Sequence, residues 1–178
     1  ILIERFRNAV AQAEHALPAL LEIAYSSPLK PRVRFYEGID GIRSAIQEVN
    51  TVQKSEPGMI VTDYSQMPDE IFKEIKSVSP ARRDAKNFLH ILIPPTPRNL
   101  QVQAEEDVWH YAEHRTAAFP SKAFPLEMSL FGNTRIAFMS FKKDELFAVI
   151  IDSHAMYLTL KNLFLMLWEN ATPKPRKK

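Results

Sequence analysis

Residues 128–168 read MSLFGNTRIAFMSFKKDELFAVIIDSHAMYLTLKNLFLMLW, and their patterning decides the fold class. Met128 to Phe131 and Thr134 to Phe141 are mostly apolar and are separated by Gly132-Asn133. They predict a hairpin with a two-residue turn, because glycine and asparagine tolerate the left-handed backbone such a turn needs. Lys142-Lys143-Asp144-Glu145 is a second polar turn. Leu146 to Ile151 is apolar throughout, the pattern of a central strand buried on both faces. Asp152-Ser153 supplies capping side chains for a closing helix. Met156, Leu160, Leu163, Phe164, Leu167 and Trp168 follow at helical spacing.

Toward the N-terminus the rhythm changes to strand and helix in alternation. Val33 to Tyr36 predicts a strand, and Glu37-Gly38 turns the chain into a helix bearing Ile39, Ile42, Ile46 and Val49. Pro57-Gly58 marks a loop before the short strand Met59-Ile60-Val61. The next helix has Pro68 near its first turn and carries Ile71, Phe72 and Ile75. Phe88 to Ile93 predicts a strand ended by Pro94-Pro95, a helix runs through Val102 to Tyr111, and Arg115 to Phe119 predicts another strand. The first segment places Ile3, Phe6, Val10, Ala13, Leu17, Leu20 and Ala24 at alternating steps of three and four. That is a heptad stripe suited to a partner helix, and Pro18 interrupts it. The pattern starts at Ile1-Leu2-Ile3 without an initiator methionine, which reads as a piece of a longer protein.

The expected fold is therefore α/β: a mixed sheet flanked by helices, preceded by a long N-terminal dimerisation helix. The expected divisions are a linker helix over 1–25, an α/β domain over 26–171, and a basic disordered tail over 172–178. That tail holds four of the 23 basic residues, against 21 acidic ones in the whole chain. The net charge of +2 gives no general footing for nucleic acid. The absence of cysteine excludes disulfides and thiolate chemistry and suits a reducing, cytoplasmic setting. No apolar run reaches the ~20 residues that span a membrane.

Motifs that would carry chemistry are missing. Four glycines, Gly38, Gly41, Gly58 and Gly132, form no phosphate-cradling loop. His110 and His114 stand i, i+4 but lack a metalloprotease glutamate between them, so helix-end histidines are the simpler reading. His90 lies in an apolar strand, as a core histidine would. Asp152-Ser153-His154 has the residue types of a hydrolase triad, yet triad members converge from separate segments. The sequence predicts no catalytic group, no metal and no cofactor.

Two stretches are more specific. Residues 17–50, LPALLEIAYSSPLKPRVRFYEGIDGIRSAIQEVN, join a leucine-proline helix to a strand ending in tyrosine-glutamate-glycine. Residues 113–171 contain EHRTAAFP, EMSLFGNTRIAFMSF and LFAVIIDSHAMYLTLKNLFLMLWENA. In order and spacing these resemble the C-terminal regulatory region of TrmB-family transcriptional regulators. The resemblance implies a phospholipase-D-like fold and an effector-sensing, dimerising role. It also implies a winged-helix domain ahead of residue 1 for DNA, and an effector such as a sugar. A phospholipase-D-type enzyme needs histidine followed two residues later by lysine. Here those positions are Leu17, Leu92, Ala112, Thr116 and Met156, so no enzyme is expected. An oligomerisation scaffold without ligand, and a hydrolase with an unrecognised site, are the alternatives.

Open α/β sheets bind ligands beyond the carboxyl ends of parallel strands. That rule selects Tyr36, Glu37, Thr62, Asp63, Tyr64, Thr96 and Asp152 as effector-binding candidates, with Arg115 as partner for an anionic group. Ile3, Phe6, Val10, Ala13 and Leu17 are the candidate homodimer interface.

Overall fold

The computed structural model describes residues 30–51, 56–109, 111–119 and 125–173, and the side chains of all of these but 106–109. The first segment, with Ile3, Phe6, Val10, Ala13 and Leu17, lies outside them, as do the residues after Pro173.

The chain runs β1 (Arg32–Glu37), α1 (Gly38–Thr51), β2 (Gly58–Val61), a 3-10 turn (Tyr64–Gln66), α2 (Asp69–Asp84), β3 (Leu89–Ile93), α3 (Pro97–Trp109) and β4 (Ala112–Thr116). It continues with β5 (Leu126–Phe131), β6 (Arg135–Ser140), β7 (Phe147–Asp152), α4 (His154–Asn170) and β8 (Thr172–Pro173). The sheet order is β1-β7-β6-β5-β2-β3-β4-β8. β2, β3 and β4 are parallel, joined by helical crossovers. β5, β6 and β7 form an antiparallel meander that joins them through the β2–β5 pair. Gly38 N–H donates to Leu146 O, and Arg34 at the other end of β1 reaches Asp152. β1 therefore runs antiparallel to β7.

Alternation along the strands divides the core in two. Ile60, Ile91, Ile93, Ala137, Ala148 and Ile150 pack under α1, α2 and α3 with Ile42, Ile46 and Ile71. Met59, Val61, Leu92, Leu130 and Ile136 face the other way, onto Tyr157, Phe164 and Trp168 of α4. Among the described residues, three helices cover one face and a single helix the other. Among the described residues no helix is long and apolar enough to cross a membrane.

The structure departs from the sequence reading in four places. The hairpin turn has three residues, since Phe131 pairs with Arg135; Gly132 and Asn133 do take the left-handed backbone, at φ 59° and 65°. α3 ends at Trp109 and β4 begins at Ala112, so His114 is a strand residue and no helical His110–His114 pair exists. Thr172 and Pro173, assigned to the tail, extend the sheet by pairing with Thr116 and Arg115. β7 is buried at Ala148 and Ile150 but only partly at Phe147 and Val149, because α4 crosses the sheet away from that end.

Candidate functional site at the carboxyl ends of the parallel strands

β2 delivers Thr62, Asp63 and Tyr64 to the carboxyl end of the parallel strands, and all three are buried. Asp63 caps the 3-10 turn. Its Oδ1 accepts from Ser65 N (2.9 Å), Ser65 Oγ (2.6 Å) and Asn99 Nδ2 (2.9 Å). Asn99, in the first turn of α3, also donates to Pro94 O at 2.9 Å, and its own N–H donates to Thr96 Oγ1 at 3.3 Å. The Tyr64 hydroxyl lies 3.1 Å from His114 Nε2, and Gln103 Nε2 donates to His114 O at 2.9 Å. Next to Thr62 stands Glu127 of β5, whose Oε1 accepts from Ser129 Oγ at 3.1 Å. Burial pushes the Glu127 carboxyl up to about 7, with the nearby Thr62 and Ser129 hydroxyls pulling the other way. The Thr62 contact falls outside hydrogen-bond geometry, and Thr62 Oγ1, Asp63 Oδ2 and Asn99 Oδ1 are all buried with no hydrogen-bond partner among the described residues.

Behind the cluster is a cavity of about 30 Å³ walled by Ile46, Val49, Ile60, Ile91 and Met139, room for roughly one or two waters. Tyr64, Arg82 and Glu127 reach it. The Arg82 guanidinium donates to Tyr111 O at 2.8 Å, and burial brings its pKa down to about 10. Glu127 lines that cavity at 7% exposure, and His114 is fully buried at 0%. The Asp63–Asn99, Tyr64–His114 and Gln103–His114 contacts tie the end of β2 to α3 and β4. Among the described residues no group of three or more histidine or acidic side chains is placed to hold a metal ion.

Of the residues selected from sequence, the structure brings Thr62, Asp63, Tyr64 and Thr96 together. Glu37 is exposed at the same end of the sheet but four strand spacings from β2, roughly 19 Å. Asp152 is corrected: β7 runs antiparallel to its neighbour β6, so the end of β7 lies at the amino end of β2. There Arg135 Nε donates to Asp152 Oδ1 at 2.9 Å and Arg135 Nη1 to Glu48 Oε1 at 3.2 Å. Arg34 binds Glu48 with both terminal nitrogens, at 2.7 and 2.8 Å. The Tyr36 hydroxyl donates to Glu48 at 3.1 Å, so Tyr36 belongs to this ion network as well. Arg115 points to the opposite face of the sheet, against Trp168. Glu127 and Asn99 escaped the sequence reading, and His114 was read there as a helix-end residue, not as a strand residue of this cluster. Glu127 had a usable signal, a charged residue directly before an apolar strand; Asn99 and His114 are recruited by contacts remote in sequence.

No family model matches the chain, and no curated protein matches it significantly by sequence. Solved structures do match. Nuc from Salmonella typhimurium, a phospholipase D family member, aligns with a TM-score of 0.63 at 11% identity, over 83% of this chain and 100% of that one. NucT from Helicobacter pylori gives 0.58 at 12%, over 81% and 99%. TrmBL2, an archaeal chromatin protein with a described mode of DNA binding, gives 0.50 at 17%, over 96% of this chain but 64% of its own length. The fold is phospholipase-D-like. At these identities the likeness is one of architecture and leaves activity to the site.

Proposed function

We propose that this chain is the effector-sensing and dimerisation domain of a TrmB-like transcriptional regulator and not an enzyme. The observation that carries the reading is a phospholipase-D-like sheet whose sequence has no histidine-x-lysine. At the strand ends stands a buried set of hydrogen-bonded residues, Asp63 with Asn99 and Tyr64 with His114. The likeness to TrmBL2 over 96% of this chain supports the regulatory half of the proposal. In the full regulator a winged-helix domain would contact DNA, two subunits would pair, and a small polar effector such as a sugar would favour one arrangement of the pair. The test is operator affinity, with and without a panel of sugars and metabolites, in a protein carrying that domain. Turnover of a phosphodiester by this chain, abolished by His114→Ala or His154→Ala, would overturn the non-enzymatic reading.

One observation favours a second reading, an oligomerisation scaffold with no ligand: Thr62, Asp63 and Tyr64 are buried, and Asp63 and Tyr64 are bonded within the protein. A thermal-shift screen separates the two. A saturable rise in Tm with one metabolite supports sensing, and none across the panel supports the scaffold.

A further inference from the structure

α4 is apolar on both sides. Its inner side buries Tyr157, Phe164 and Trp168. Its outer side carries Met156, Leu163, Met166 and Leu167, which are 39% to 63% exposed. These four recur at steps of seven, three and one, so they share one stripe, with Thr159 and Asn170 completing it. Thr159, Asn162, Glu169 and Asn170 share the exposed side with them, so the exposed apolar residues form a stripe and not a whole face.

Among the described residues, β1 also exposes apolar side chains. Arg34 and Tyr36 of β1 turn toward Glu48 of α1, so Val33 and Phe35 face α4's side of the sheet, where they are 59% and 58% exposed. Phe35 stacks on Phe147 of β7 with ring centroids 5.8 Å apart. At about 200 Å² for a fully exposed large side chain, the four α4 residues leave roughly 400 Å² of apolar surface in water. Val33 and Phe35 add roughly 200 Å². A monomer's largest apolar patch is about 300–600 Å², and a stable interface uses about 800 Å² per partner including its polar rim. The α4 stripe alone is within the range of a monomer's largest patch, and it is also about the apolar share of one side of a standard dimer interface.

We infer that this face is a self-association surface, on which α4 packs against α4 of a second copy about a two-fold axis near Leu163. Two features favour a second copy. Leu163 lies midway along the stripe, with Met156 and Asn170 seven residues to either side, so a two-fold axis there lays the two stripes along one another over their full length. The stripe also carries no charge, which suits the charge-poor centre of a homodimer interface; Lys161, off the stripe, is paired with Glu56. Such an interface is isologous and closes at two subunits. It is distinct from pairing through Ile3, Phe6 and Val10.

The chain has no cysteine, so Leu163→Cys introduces a single thiol. Two-fold packing centred there places that thiol against its own copy, and mild oxidation of the whole chain should convert most of it to a disulfide-linked dimer. Ser44→Cys, on the exposed side of α1, should remain largely uncrosslinked. In sedimentation, the double variant Leu163→Glu, Met166→Glu should lose roughly tenfold or more in association constant, as expected when an apolar interface centre is charged. Its circular dichroism should be unchanged, because both side chains already face water. A wild-type chain that stays monomeric at high concentration would overturn the inference and leave α4 to another partner. So would a dimer that survives the charged double variant and is lost in Phe6→Glu, Val10→Glu, which would place the contact on the first segment. Equal cross-linking of the two cysteine variants would count as random collision and against the inference.

Discussion

The guanidinium carbon of Arg115 lies 4.3 Å above the Trp168 ring, and Arg115 Nη1 donates to the Trp168 carbonyl at 3.1 Å. The same ring stacks on His90, with centroids 4.6 Å apart. β3, β4 and the end of α4 are thereby clamped at one point. Glu113 supports the clamp by accepting from Arg115 Nε at 2.8 Å.

Arg115→Ala should therefore lower stability by about 1–3 kcal/mol, the sum expected for a partly shielded cation–π contact and a charged hydrogen bond. Arg115→Lys should recover only part of this, because an ammonium lacks the planar fork that stacks and donates together. Chemical denaturation measures both. A loss under half a kcal/mol in the alanine variant, on the order of an ordinary surface change, would show that the clamp is decorative.

Glu127 links stability to pH. Its carboxyl rises from 4.5 to about 7 on folding, so the folded state holds a proton that the unfolded state releases. Its contribution is fully present below about pH 4.5 and is lost as pH climbs to about 7. The loss is on the order of 3 kcal/mol at 1.36 kcal/mol per pH unit. Burial lowers His90 below its usual value; that group acts in the opposite direction, adding stability as pH rises toward 6.5. The difference between wild type and Glu127→Gln isolates the glutamate. It should be small near pH 4.5 and favour the glutamine variant by a few kcal/mol at pH 8. A flat difference across that range would mean the carboxyl keeps its charge in the fold.

Gly41→Ala sets two effects against each other. Alanine in a helix interior gains about 1 kcal/mol over glycine. A Cβ on Gly41 would, however, lie 2.9 Å from the Tyr36 carbonyl carbon, a backbone atom of β1 that cannot swing aside. Overpacking of this kind costs about 1–3 kcal/mol, so the net change should be a loss of stability. A variant that melts above wild type would show that α1 can slide outward at little cost.

Arg82 is 2% exposed and donates to the carbonyls of Tyr111 and Asn87. Asn87 in turn donates to Asn50 O at 2.9 Å, so the ends of α1 and α2 and the entry to β4 meet there. Arg82→Ala should cost about 3 kcal/mol or more, because it strands buried carbonyls and leaves a void. Hydrogen exchange at the β3 and β4 amides should accelerate with it. Unchanged protection there would confine Arg82 to a local role at the end of α2.

Sequence periodicity by itself determined most of the elements, though not β8 or the start of β4. Alternation in residues 128–141, the apolar run after Lys142–Glu145 and the helical spacing from Met156 to Trp168 have one local solution each, because side-chain direction follows from φ and ψ within a few residues. Ser153 was legible as a capping residue, since caps are short-range hydrogen bonds; the cap at Asp63 came only with the structure. Tertiary structure alone decided strand direction and partnership. The antiparallel course of β7 carried Asp152 away from Asp63 and into the Glu48 ion network. Alternation placed Arg115 on the α4 face, where Trp168 takes it up. Burial of Glu127, and with it the shift of its carboxyl to about 7, depends on α1 and β2 closing over β5. These relationships come from segments tens of residues apart, and the free energy that fixes them is the packing of two core faces, which no local pattern records.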